Sequence, residues 1–138
     1  MKSAFKGFPA MAAALVALLA FCGAAWATGD GFTRIKPQEA DRLLKNGSVD
    51  LLLDVRTMEY FTGPNGRLNG ALLIPVSDLS QKMDFLNKYR DKTVLVYCEV
   101  GIWSQDAARF LAGKGFKHIL ELGGGIVEWR KAGLPVIH

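Results

Sequence analysis

Cysteine is scarce in this chain of 138 residues: there are only two, Cys22 and Cys98, and Cys22 closes an apolar run near the amino terminus. Cys98 therefore stands alone in the remainder, where an internal disulfide framework is excluded. Histidine is equally sparse. His118 and His138 lie far apart with no ligand spacing around them, which argues against a metal site. There is no block of like charge either, because the 17 basic residues are scattered among 13 acidic ones. That is an ordinary solvated surface, and nucleic acid is not implied as a partner. No internal repeat or linker interrupts the chain. Gly123-Gly124-Gly125 lacks the third glycine of a dinucleotide fingerprint, whose place holds Glu128, so it is expected to be a tight turn.

What is present fits one compact domain. Half of the residues are apolar and 22% are charged, a globular rather than a disordered balance. Lys2 and Lys6 precede the apolar run 10–22, which is short of the ~20 residues needed to cross a bilayer but suits the core of an export signal. Ala25-Trp26-Ala27 supplies small residues at both recognition positions, so cleavage before Thr28 is expected. The chain then divides into a signal peptide, 1–27, and one domain, 28–138, that is periplasmic or otherwise exported. Membrane contact would come only through the signal segment, if uncleaved. An uncleaved anchor and a lipoprotein processed at Cys22 remain open; bulky Phe21 argues against the second. Lys2 and Lys6 carry two of the four net positive charges, so the high isoelectric point belongs partly to this segment.

From Phe32 onward, helical and β-rich stretches alternate, which predicts an α/β domain with a mainly parallel sheet. Pro37 opens a helix striped with Ala40, Leu43 and Leu44, and Asn46-Gly47 stops it. Residues 49–55 are predicted to form a buried strand, and 71–75 a second one after the turn Gly63-Pro64-Asn65-Gly66. Leu79, Met83, Leu86 and Phe85 recur at helical spacing, with Ser77, Asp78 or Ser80 available as a cap. Residues 93–97 should form a central strand ending at Cys98, and Ser104 is expected to cap the helix that follows, ended by Gly113 or Gly115. Residues 118–122 form another strand before a last helix with Val127 and Trp129.

Ligands of parallel α/β sheets bind beyond the carboxyl ends of the strands, where Cys98 is expected to lie. The positive end of the next helix and the amides of the loop would there favour a thiolate. A small buried hydrophobe is the alternative for a free cysteine. The loop Cys98-Glu99-Val100-Gly101-Ile102-Trp103-Ser104 favours reactivity, because its central glycine lets the backbone turn amides toward the sulfur.

Four segments in order resemble the rhodanese family. Leu53-Asp54-Val55-Arg56 with Glu59-Tyr60 is similar to its first signature. Gly66-Arg67-Leu68-Asn69-Gly70-Ala71 with Ile74-Pro75 is similar to its second, with Arg67-Leu68 where the family usually has His-Ile. Tyr97-Cys98 with Gly101 and Ser104 resembles its active loop, and Gly124-Gly125-Ile126 with Trp129 and Gly133-Leu134-Pro135-Val136 its closing segment. The resemblance spans residues 32–136. It implies a rhodanese-like fold with a central, mainly parallel five-stranded sheet flanked by helices, and a sulfurtransferase in which Cys98 is the nucleophile.

Cys98 would take sulfur from a small sulfur-containing donor, hold it as a persulfide, and pass it to cyanide, a thiol or a protein acceptor. The loop Glu99, Val100, Gly101, Ile102, Trp103 and Ser104 would bind substrate and stabilise the anionic sulfur. Asp54, Arg56 and Arg67 would support it; for Asp54 and Arg56 an ion pair bracing the strand end is favoured over contact with an anionic donor. No metal and no organic cofactor is implied. A non-catalytic carrier, binding or thiol-sensing module on the same scaffold is the alternative.

The loop departs from the family where Glu99 stands in place of the usual Arg and Trp103 in place of the usual Arg or Thr. A glutamate beside a thiolate disfavours the thiolate and repels a dianion, so thiosulfate is expected to be a poor donor and Trp103 to form an apolar lip. Arginines at both positions are expected to raise thiosulfate turnover. Phosphatases of this architecture keep an arginine where Ser104 stands, so phosphate-ester hydrolysis is not expected.

Overall fold

The structure is a computed structural model that describes Trp26–Ala27 and residues 29–138, with side chains from Gly29 onward. The expected signal segment lies outside the described residues except for Trp26–Ala27, a two-residue strand β1. This strand pairs antiparallel with β2, Thr33–Ile35. Cleavage before Thr28 would remove β1 and leave only parallel strands.

Five strands form that parallel sheet: β2, β3 (Leu51–Asp54), β4 (Leu72–Leu73), β5 (Thr93–Tyr97) and β6 (His118–Leu122), in the spatial order β2-β6-β5-β3-β4. The fold is the α/β architecture expected, with β5 at its centre. β2 carried no separate signal, because three residues are too few to show an alternation. The strands expected at 49–55 and 71–75 are shorter than their apolar runs, and the pairing that survives is Leu53 with Leu72 and Asp54 with Leu73.

Alternation along the strands builds two cores. Leu51, Leu53, Val94, Val96 and Ile119 face Ala107, Ala108 and Leu111 of helix α4, Trp103–Gly113. Leu52, Leu95, Tyr97 and Leu122 face the other way, against Ala40 of α1, Pro37–Lys45, and Ile126 and Trp129 of α5, Gly125–Lys131. Burying each such Leu or Val contributes ~1.5–3 kcal/mol, so a sheet covered on both faces requires the continuous apolar runs seen in β3 and β5.

The amphipathic helix expected from Leu79 to Tyr89 is instead broken into a 3-10 stretch, Val76–Lys82, a short helix α3, Met83–Leu86, and a 3-10 turn, Asn87–Tyr89. None of Ser77, Asp78 and Ser80 caps it, and Ser77 bonds the Asp78 carboxylate instead, at 3.2 Å. Leu79 and Leu86 are buried as the spacing demands, whereas Phe85 is exposed beneath the Lys88 ammonium, 4.1 Å from its ring. A further short helix, α2, Met58–Phe61, follows β3.

Candidate active site

The register Asp54 to Tyr97 sets the carboxyl ends of β3 and β5 side by side. Cys98 follows directly, 1% exposed, and the chain turns through Gly101 at φ +88° before α4 begins at Trp103. This turn points two backbone N–H groups at the sulfur: Gly101 donates at 3.2 Å and Ser104 at 3.3 Å. Ser104 lies in the first turn of α4, so the sulfur also faces the positive end of that helix. The loop therefore brings Cys98, Gly101 and Ser104 together.

Ser104 is not the cap that its position suggested; Ile102 occupies that place, with no side-chain cap bond. The Ser104 hydroxyl is instead fully buried, accepts from the Cys98 thiol at 3.3 Å and donates to Glu121 Oε1 at 2.6 Å. Glu121 Oε2 accepts from Arg34 Nε at 2.8 Å. Sequence reading missed Glu121 and Arg34. The available signal was a single acid inside the apolar strand 118–122 of a sheet covered on both faces.

Glu99 is held by two side chains from outside the loop. Its carboxylate accepts from Arg56 NH1 at 2.9 Å and from the Asn65 amide, which in turn accepts from Arg130. Arg56 is fully buried and forks onto Asp54, with NH2 to Oδ2 at 2.7 Å and Nε to Oδ1 at 3.0 Å. NH2 also reaches the Gly66 carbonyl at 2.8 Å, and the guanidinium lies 5.5 Å from the centre of the Tyr97 ring. Burial alone would push this arginine's pKa down, but its bonds to Asp54 and Glu99 and the nearby acid charge outweigh burial and hold it above the ordinary value. Burial foremost, then the charge of Asp54, pushes the Tyr97 phenol up, so it stays neutral while accepting from the Leu68 N–H at 3.1 Å.

The three supporting residues thus separate. Asp54 and Arg56 brace the loop through Glu99, whereas Arg67 lies over Phe61, 4.8 Å from its ring, and pairs by its backbone with Ile137. Val100, Ile102 (63% exposed) and Trp103 (38% exposed) form an apolar rim, on which Tyr60 packs edge-on to Trp103 at 5.9 Å. A cavity of about 490 Å³ lined by Phe32, Leu43, Thr93 and His118 opens at the amino end of β5. Five residues of strand, roughly 16 Å, separate it from Cys98.

The amino end of α5 holds the loop from behind. Ile126 N–H donates to the Cys98 carbonyl at 3.0 Å and Val127 N–H to the Glu99 carbonyl at 3.2 Å. Gly125, at φ +61°, sits so close that an added Cβ would overlap both carbonyl oxygens. Gly125→Ala is expected to lower the urea midpoint, with roughly 1–3 kcal/mol from backbone strain alone, and to disturb alkylation of Cys98. An unchanged midpoint and alkylation rate would contradict this.

The sequence pattern of the rhodanese-like domain matches residues 36–132. The chain belongs to the rhodanese-like family. Among similar proteins, a sulfurtransferase of Allochromatium vinosum is 34% identical over 87 residues, covering 63% of this chain and 78% of that protein. The thiosulfate sulfurtransferase GlpE of Ectopseudomonas mendocina is 36% identical over 100 residues, covering 72% of this chain and 85% of GlpE. The crystal structure of a rhodanese-related protein from Thermoplasma volcanium superposes with a TM-score of 0.65 at 30% identity, covering 74% of this chain and 94% of that one. These likenesses put the rhodanese-like domain described above among rhodanese-type sulfurtransferases at family level.

Proposed function

We propose that this protein is a sulfurtransferase that carries sulfane sulfur as a persulfide on Cys98 and passes it to a thiol or cyanide. The observation that carries this reading is the pair of amides, Gly101 and Ser104, aimed at the Cys98 sulfur at the amino end of α4. A thiolate lone pair bonds the outer sulfur of a neutral donor R–S–SH, the donor's S–S bond breaks, and the inner sulfur leaves as R–SH with the donor's proton, so that Cys98 holds an anionic persulfide. An acceptor thiolate or cyanide then takes the outer sulfur and releases the Cys98 thiolate. The loop amides serve the anionic sulfur in both steps, as an oxyanion hole serves oxygen.

The donor favoured is neutral, extended or protein-borne rather than a small dianion. The N–H groups of Arg56 are engaged with Asp54, Glu99 and Gly66, and the exposed rim is apolar. Glu99 shares Arg56 with Asp54, so one cation faces two carboxylates and a net negative charge stays beside the loop, which adds to the missing cations in disfavouring thiosulfate. An arginine at position 99 would face Arg56, which makes Trp103→Arg the cleaner test. A new charge contributing ~1.4 kcal/mol, about a third of the ~4 kcal/mol for a pair at 4 Å in an effective dielectric of 20, should raise thiosulfate turnover roughly tenfold. Turnover unchanged in a folded Trp103→Arg variant, or a parent that already prefers thiosulfate to organic persulfides, would overturn this donor assignment.

A carrier or thiol-sensing module without turnover is the second reading, favoured by the deep burial of Cys98. It predicts a persulfide that forms and is not passed on to free thiols. The proposal also includes export: a signal peptide at 1–27 and a mature domain that begins at Thr28, outside the cytoplasm. Amino-terminal sequencing of the natively produced protein should read Thr28 first, and Met1 on membrane-held protein would contradict it.

A further inference from the structure

Glu121 is a fully buried acid that the sulfur chemistry above does not use. It stands on β6, on the same face as Ile119, under the loop that carries Cys98. The groups that face it are Arg34 from β2 at 2.8 Å, Ser104 from α4 at 2.6 Å, and behind Ser104 the Cys98 thiol at the end of β5. Glu99, the acid of the loop itself, is turned onto Arg56 and Asn65. Burying a carboxylate costs several kcal/mol unless it is well paired, and Arg34, 42% exposed in its side chain, is a partner that water screens.

The hydrogen bonds run in one direction. The thiol donates to the Ser104 oxygen, and the Ser104 hydroxyl donates to Glu121. We propose that Cys98, Ser104 and Glu121 form a proton relay in which Glu121 holds the thiol proton, through Ser104, while Cys98 is an anion. This rests on Cys98 being the sulfur-carrying nucleophile.

The chemistry balances. Ser104 gives its proton to Glu121 and takes the thiol proton, so the three residues carry one negative charge before and after, now on sulfur. Glu121 then donates to the Ser104 oxygen, and Ser104 donates to the thiolate beside the amides of Gly101 and Ser104. The thiolate bonds the outer sulfur of an organic persulfide or polysulfide, whose S–S bond breaks and whose thiolate leaves. When an acceptor thiolate removes that sulfur, Cys98 departs as thiolate and regains its proton from Glu121 through Ser104. Two buried charges a few ångströms apart are avoided throughout, since like charges so placed do not both ionise readily. Arg34, on the far carboxylate oxygen, favours the resting arrangement with the charge on Glu121.

Glu121 here positions a proton and touches no substrate, so its test is a pH profile. The rate of Cys98 alkylation by iodoacetamide is followed against pH in the full chain with Cys22→Ser, beside sulfur uptake from polysulfide. The parent should rise in two steps, the lower as the coupled residues lose their first proton and the upper as they lose the second. Glu121→Gln should show a single step lying between the two. Ser104→Ala keeps the acid but cuts the bridge, and should lose rate on the plateau between the steps while keeping the parent's rate above the upper step. Arg34→Met, at a half-exposed position that spares the core, should raise that plateau. A parent with one step, a Glu121→Gln profile superposing on the parent's, or an unchanged plateau in both Ser104→Ala and Arg34→Met would overturn the relay. Alkylation needs no sulfur transfer, so a two-step profile without any persulfide would sink the sulfurtransferase reading alone.

Discussion

Replacing Cys98 with alanine is expected to remove sulfur transfer outright while leaving the fold in place. The loss should be on the order of 10³-fold or more from any donor, because deleting a covalent nucleophile removes the route itself. Neighbouring groups give no substitute: Ser104 is buried and turned to Glu121, and Cys98 is the only cysteine among the described residues. The side chain is small, and its removal leaves the Gly101 and Ser104 amides without their acceptor, at about 1–3 kcal/mol for such a buried group, so the variant should be less stable but still folded. Turnover that survives in a folded Cys98→Ala variant would mean that the chemistry lies elsewhere.

Arg56→Met should produce the largest loss of stability of any single change at the site. The guanidinium, fully buried, carries both oxygens of Asp54, one oxygen of Glu99 and the Gly66 carbonyl. Methionine fills much of the volume but strands Asp54 as a fully buried, unpaired acid, and breaking such a pair from one side costs ~3–5 kcal/mol. With a typical urea slope of ~1–3 kcal/mol/M, the midpoint should fall by roughly 2 M. Lysine keeps the charge without the fork and should fall between. Removing Asp54 together with Arg56, as Asp54→Leu with Arg56→Met, should recover part of the loss, because the stranded charge dominates the penalty rather than the missing attraction. A single Arg56→Met variant within ~0.5 kcal/mol of the parent, the range of ordinary surface changes, would contradict this account of the loop's brace.

Local pattern explains why the strand leading to Cys98 was legible and its surroundings were not. The β-branched and aromatic run Thr93 to Tyr97 became β5 with the same bounds, and the strand-loop-helix order placed Cys98 at a carboxyl end. The helix from Pro37 and the strand 118–122 were equally plain, because each has clear apolar spacing and a defined stop. Between Val76 and Tyr89 the apolar spacing was real and buries Leu79 and Leu86, yet such spacing does not distinguish one continuous helix from short 3-10 and α turns in succession. The Asp54–Arg56 pair was legible from two residues on one strand end, but its extension to Glu99 crosses 43 residues and to Asn65 depends on how a turn folds back. No local signal carries such contacts. Glu121 was visible only as a charge in an apolar strand, and its partner Arg34 lies on a strand three residues long.

The central claim is that Cys98 carries the sulfur, and intact-mass analysis tests it most directly. The full chain with Cys22→Ser is exposed to polysulfide, freed of donor, and weighed before and after a thiol or cyanide is added. The account predicts a gain of one sulfur atom, mapped to the peptide holding Cys98, and its loss to the acceptor with return to the starting mass. A chain that gains no sulfur, or gains it equally as Cys98→Ala, would contradict the account.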